Sequence, residues 1–148
     1  RAIRTTAAPA AAPAEPAAPR RVLVVEDSMP VRRMLCKILG TQGMQCFEAA
    51  DGKQALSLLG QMKPDSFALI LCDLMMPVMD GASFVAEARK LYDKAMPPVL
   101  VCSSRSDREA VQVVIKLGVA GYVLKPFKTD TVINKLREIL PDLASKKE

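Results

Sequence analysis

Four apolar runs in this chain end on residues able to do chemistry. "VLVVED" closes on Glu26 and Asp27, "LILCD" on Asp73, "VLVCSS" on Ser103 and Ser104, and "GYVLKP" on Lys125 and Pro126. Singly, each has a plain structural use, since strand-end acids cap helices and strand-end serines begin turns. Together, three carboxylates, a hydroxyl and an amine form a set with a chemical purpose. Carboxylates a few ångströms apart repel by roughly 4 kcal/mol per pair at an effective dielectric of about 20, so such a trio demands a counter-charge. Oxygen donors without sulfur or imidazole suit a hard divalent cation, Mg²⁺ above others. A cation site with open positions beside a carboxylate and a lysine suits phosphoryl transfer. Asp73 is then the attacking carboxylate, and the Lys125 amine neutralises charge on the transferred oxygens.

For these residues to meet, the segments that carry them must lie side by side. "RVLVVED" is a short β-branched run of the kind expected in a strand covered on both faces. In "SMPVRRMLCKILG", Val31, Met34, Leu35, Ile38 and Leu39 fall on one helical stripe, with Pro30 near the start and Gly40 at the end. The alternation then repeats. "MQCFEA", "FALILCD", "PVLVCS" and "GYVL" read as strands, while "GKQALSLLGQM", "ASFVAEARKL", "REAVQVVIKLG" and "TDTVINKLREIL" read as helices. Five strands alternating with five helices predict an α/β fold, a doubly wound parallel sheet with helices on both faces. Ligands in such sheets collect beyond the carboxyl ends of the strands. All the residues named above are expected on that edge.

At 148 residues, half of them hydrophobic, the chain has room for one domain with a real core. The first twenty residues are thirteen parts Ala and Pro, and residues 1–20 are expected to form a disordered tail or linker. Arg1, Arg4 and Arg20 against Glu15 carry +2 of the formal charge of +5, leaving +3 for residues 21–148. That remainder is scattered, with no basic stripe interleaved with aromatics and no zinc-finger spacing, so no direct nucleic-acid binding is expected. No run approaches the ~18 apolar residues of a membrane span, and no secretory h-region is present, which makes the cytoplasm the expected compartment. Cys36, Cys46, Cys72 and Cys102 lie inside regular elements without a C-x-x-C pair, and are expected to be free, mostly buried thiols. The absence of histidine excludes Ser-His-Asp and Cys-His machinery and His-containing zinc sites.

"VLVVEDS", "LILCDLMMPVMDG", "VLVCSS" and "GYVLKPF", in this order and spacing, resemble the receiver domain of two-component response regulators of the chemotaxis-regulator type. The resemblance covers about residues 21–140, leaving residues 141–148 as a charged C-terminal tail. It implies a flavodoxin-like fold with strand order 2-1-3-4-5. It further implies that Glu26, Asp27, Asp73 and the Met75 backbone carbonyl bind Mg²⁺, and that Asp73 is the phosphoacceptor. Ser103 and Lys125 contact the phosphoryl group, Ser103 and Tyr122 act as the switch pair, and the Lys125–Pro126 bond is cis. The implied phosphodonor is a histidine kinase or histidine phosphotransfer protein, necessarily another molecule because this chain has no histidine. Two departures are mild: Glu26 stands where Asp is commoner, and Ser103 where Thr is commoner.

In "DREAVQVVIKLG", Ala110, Val113, Val114 and Leu117 form the inward stripe, which leaves Val111 and Ile115 nearer solvent. In the resembling family, partners dock on the face of the fourth helix, fifth strand and fifth helix. Val111, Ile115 and Tyr122 are therefore the expected partner face for a downstream protein target, with the chain a monomer or a weak, phosphorylation-dependent dimer. No turnover enzyme activity is expected beyond self-phosphorylation and slow self-dephosphorylation. Two rivals read poorly. An aspartyl phosphatase of the haloacid dehalogenase type wants a second Asp where Met75 stands, and a nucleotide site wants a glycine-rich loop where "EDSMPVRR" stands. The alternatives kept are a C-terminal receiver of a larger hybrid or multidomain regulator and a receiver-like interaction module that is never phosphorylated.

Overall fold

The structure is a computed structural model that describes residues 20–104 and 107–141. Of the tails expected over residues 1–20 and 141–148, residues 1–19 and 142–148 lie outside the described residues. Along the chain run β1 (Arg20–Val25), α1 (Met29–Thr41), β2 (Met44–Ala49), α2 (Gly52–Met62), β3 (Leu69–Cys72), α3 (Gly81–Tyr92), β4 (Val99–Ser103), α4 (Arg108–Leu117), β5 (Gly121–Leu124) and α5 (Thr129–Ile139). The five strands are parallel throughout, in the order β2-β1-β3-β4-β5. This is the expected flavodoxin-like sheet.

Period-two alternation along the strands divides the core into two layers. Leu23, Val25, Ile70, Val99 and Val101 face one side and pack with Ala55 and Leu59 of α2, Phe84 and Val85 of α3 and Val114 of α4. Val22, Val24, Leu69, Leu71 and Leu100 face the other and pack with Leu35, Ile38 and Leu39 of α1 and Val132 and Leu136 of α5. Both faces of β1 and β3 are thus sealed, as their unbroken apolar runs predict.

Four helices begin on a side chain that accepts a backbone N–H. Ser28 accepts from Val31, Asp51 from Gln54, Asp80 from Ser83 and Asp107 from Ala110. The capping use of strand-end acids therefore falls to other residues. Neither Glu26, Asp27 nor Asp73 is a helix cap.

Three details differ from the sequence reading. β1 begins at Arg20, one residue inside the expected tail, because Arg20 is in register with Met44 of β2. β3 begins at Leu69, since the 3₁₀ turn Pro64–Ser66 delivers Phe67 ahead of the strand, edge-on against the Phe47 ring at 5.7 Å. Met34 is exposed, not inward; the 100° step of the helix puts it at the rim of the stripe whose centre is Leu35, Ile38 and Leu39. No helix among the described residues is long and apolar enough to cross a membrane.

Candidate functional site

Ladder hydrogen bonds continue one residue past the strand ends, and they set the site. Asp73 N–H donates to the Val25 carbonyl and Glu26 N–H to the Ala49 carbonyl, each at 3.0 Å, while Lys125 N–H donates to the Ser103 carbonyl at 2.8 Å. Glu26 and Asp73 are brought side by side, and Ser103 and Lys125 follow on the neighbouring strands. Glu26, Asp73 and Ser103 are all buried, at 1%, 6% and 0% exposure, whereas Asp27 faces solvent. A buried polar trio at a strand edge is the informative exception in a core otherwise apolar.

One carboxylate oxygen from each of Glu26, Asp27 and Asp73 lies within 4.8 Å of the others. Lys125 Nζ reaches into this group, donating to Glu26 Oε1 at 2.7 Å and Asp73 Oδ2 at 2.9 Å. Two backbone groups add to it: Ser28 N–H donates to Glu26 Oε2 at 3.1 Å and Met75 N–H to Asp73 Oδ1 at 3.2 Å. Burial raises the Glu26 carboxyl above the usual carboxylate range, and the nearby Asp73 charge adds to that, outweighing the bonds from Lys125 and Ser28. For Lys125 the order reverses. Burial pushes its ammonium down, but the bonds to Glu26 and Asp73 and the charges behind them leave it raised overall.

Three carboxylates against one ammonium leave the fully ionised group two negative charges in surplus. An all-oxygen donor set with that surplus fits a hard divalent cation of the Mg²⁺ type. On the solvent side a cleft of about 430 Å³ opens, lined by Asp27, Leu74, Met75, Met76, Pro77 and Asp80. Its wall includes Asp27 of the acid cluster and Leu74 and Met75, the two residues that follow Asp73.

The remaining expected residues are placed as follows. The Lys125–Pro126 bond is cis. Met75 is 55% exposed on the rim of the cleft. Tyr122 is half-buried against the α2–α3–α4 core layer. Val111 and Ile115 lie outside the core at 37% and 70% exposure, joined by Leu124 of β5, while Ala110 and Val114 are buried and Val113 and Leu117 half-buried. The inward stripe of α4 thus runs where its periodicity puts it.

Sequence reading missed two supports of the site. Arg32 of α1 donates from Nη1 to the Glu26 carbonyl at 2.8 Å and from Nε to Glu48 Oε1 at 2.7 Å, tying α1 to the ends of β1 and β2. Nothing in a helix-surface arginine signals such a reach. Gly81 lies so close to the Asp73 carbonyl that any Cβ there would collide with it, and its own N–H donates to the Leu74 carbonyl at 3.0 Å. The Asp80–Gly81 pair opening a helix was the available signal.

Known proteins are similar to this chain in sequence and fold. The Regulator of RpoS of Escherichia coli is 35% identical over 126 residues, which make up 85% of this chain and 35% of that protein. The phosphate regulon transcriptional regulatory protein PhoB of the same organism is 31% identical over 121 residues, 82% of this chain and 52% of that one. The chain therefore spans about a third to a half of the length of these two relatives. The solved chemotaxis protein CheY4 of Vibrio cholerae has a TM-score of 0.74 to this structure at 31% identity, over 82% of this chain and 99% of its own. Residues 22–137 match the response regulator receiver domain, a span that begins inside β1 and ends inside α5. The chain belongs to the response regulator receiver domain family.

Proposed function

We propose that this receiver is a phospho-acceptor switch in a two-component phosphorelay, in which Asp73 takes a phosphoryl group from the phosphohistidine of a partner kinase or phosphotransfer protein. The observation that carries the reading is the surplus of negative charge around a buried aspartate that already has a lysine on one oxygen. An Asp73 carboxylate oxygen attacks phosphorus in line; the P–O bond forms as the P–N bond to the donor imidazole breaks, and the imidazole leaves with the bonding pair. Glu26, Asp27, Asp73 and the Met75 carbonyl would hold Mg²⁺, which when bound supplies charge neutralisation at the phosphoryl oxygens. Lys125 follows the charge from the carboxylate to the phosphoryl group, and burial of Glu26 and Asp73 keeps water from competing for the same partners. The added charge draws in the Ser103 hydroxyl and Lys125, and Tyr122 and the α4–β5–α5 face repack to change affinity for a downstream protein. The protein works in the cytoplasm and turns over no substrate of its own. Purified protein given Mg²⁺ and acetyl phosphate should gain the mass of one phosphoryl group. An unmodified mass, beside a verified receiver that is labelled, would end the reading.

Two side chains tune the switch. The exposed Met75 thioether overlooks the path of a hydrolysing water and slows loss of the phosphate. Met75→Asn should therefore shorten the phospho-form lifetime several-fold, read by the decay of the phosphorylated mass after donor removal; an equal or longer lifetime removes the role. Val111 presents an apolar surface that the core does not use. Val111→Asp should leave acetyl phosphate labelling intact and stability within about 0.5 kcal/mol of wild type. Affinity for the downstream target should fall about tenfold, or roughly 1.4 kcal/mol, in a binding titration of the phospho-form. Joint loss of labelling and stability would mean that Val111 belongs to the core.

A further inference from the structure

Two of the four thiols do not behave as core filling. Cys72 and Cys102 are sealed at 1% exposure each, and burial pushes the Cys102 thiol up to about 12. Cys36 of α1 and Cys46 of β2 are only half-buried, and they lie against each other across the seam between helix and strand. Cys46 Sγ also lies 3.7 Å from the Cys36 carbonyl oxygen. β2 is an edge strand of the sheet, and among the described residues no further strand lies beside this pair.

The pairing is built into the seam between helix and strand. Arg32 and Cys36 are one helical turn apart on α1, a rise of about 6 Å. Glu48 and Cys46 are two residues apart on β2, a rise of about 6.6 Å on one face of the strand. The helix runs back along the strand, so the Arg32–Glu48 ion pair at 2.7 Å and the contact of the Cys46 thiol with the Cys36 carbonyl are successive rungs of one ladder. The neighbouring Cys46 thiol favours the thiolate of Cys36, helped by the Arg32 and Arg33 charges and opposed by burial and by Glu48. A thiolate beside a resolving thiol is the arrangement that oxidises selectively.

We propose that Cys36 and Cys46 are a reversible peroxide-oxidised pair that closes a disulfide between α1 and the β2 edge. The Cys36 thiolate attacks one oxygen of hydrogen peroxide, forming a Cys36 sulfenic acid and releasing hydroxide. The Cys46 sulfur then displaces the sulfenic hydroxyl as water. The two thiols lose two electrons and two protons, and one peroxide becomes two waters. The Cys46 sulfur already lies 3.7 Å from the Cys36 backbone carbonyl, and side-chain rotation is the movement that would bring the two sulfurs to the ~2.05 Å bonding distance. The cross-link falls one turn from Arg32, whose guanidinium holds the Glu26 carbonyl, so it would stiffen the wall of the acid cluster.

The test uses the full chain, reduced, exposed to hydrogen peroxide at neutral pH, alkylated, and mapped without reductant. The expected product is a monomer lighter by two hydrogens, with the Cys36 and Cys46 peptides joined and separated again by dithiothreitol. Cys36→Ser and Cys46→Ser should each lose that product, while Cys102→Ser keeps it. Wild-type protein that shows no two-hydrogen loss, a bridge mapped to Cys72 or Cys102, or a bridge between two molecules overturns the proposal. The wild-type map stands even if a serine variant folds poorly.

Discussion

Asp73→Asn is expected to fold and to take up no phosphate from acetyl phosphate in the presence of Mg²⁺. The amide keeps the shape of the side chain and one oxygen to receive the Met75 N–H, which lies 3.2 Å from Asp73 Oδ1. It removes the charge that makes the oxygen a nucleophile, and loss of a nucleophile costs several orders of magnitude in rate. Lys125 loses one acceptor but retains Glu26 at 2.7 Å, so no ammonium is left buried alone. Removing one of three clustered carboxylates also relieves repulsion, and the metal-free melting temperature should hold or rise. Intact-mass spectra of wild type and variant, taken in parallel under one donor concentration, read both outcomes. A phosphoryl mass persisting in Asp73→Asn would move the acceptor to another acid, with the exposed Asp27 the nearest candidate.

The architecture was legible because local signals and tertiary pattern agree. The apolar runs of β1 and β3 are continuous since both faces are covered, and Pro30, next to the Ser28 cap, marks the start of α1. What was not legible depends on long reach. Lys125 meets Glu26 across 99 residues of chain; the strand-end rule put both on one edge of the sheet, but no spacing rule foretells the bond between them. Arg32 is similar, a surface-type residue on an amphipathic helix whose partners are a carbonyl six residues back and an acid sixteen residues on. Met34 erred for a simpler reason: binary pattern marks a stripe but not how wide a band the sheet covers. The chemistry of the site was readable as a set of residue types, its contacts only as geometry.

Glu26→Gln should produce two effects of opposite sign that separate the metal role of this residue from its structural role. Without divalent cation, the folded protein holds Glu26 with a raised carboxyl, chiefly because burial penalises its charge. A carboxyl raised on folding contributes stability that is fully present below its ordinary unfolded value and is lost as pH rises through the folded value. Near neutral pH, above the ordinary carboxylate range, the wild type therefore carries a cost at buried Glu26 that Gln does not incur, and the metal-free variant should melt higher. The difference should shrink as pH falls toward the ordinary carboxylate range, where Glu26 is itself neutral. Added Mg²⁺ reverses the ranking. A cation bound only by the folded state stabilises by about 2.7 kcal/mol at a hundred times its dissociation constant, and loss of one carboxylate ligand weakens that binding by on the order of tenfold or more. Melting curves of the two proteins, taken against Mg²⁺ at neutral and mildly acidic pH, should cross at neutral pH and converge in metal-free acid. Curves that rise in parallel with Mg²⁺ would take Glu26 out of the cation site, and a metal-free variant less stable than wild type at neutral pH would make the Lys125–Glu26 pair a net support of the fold.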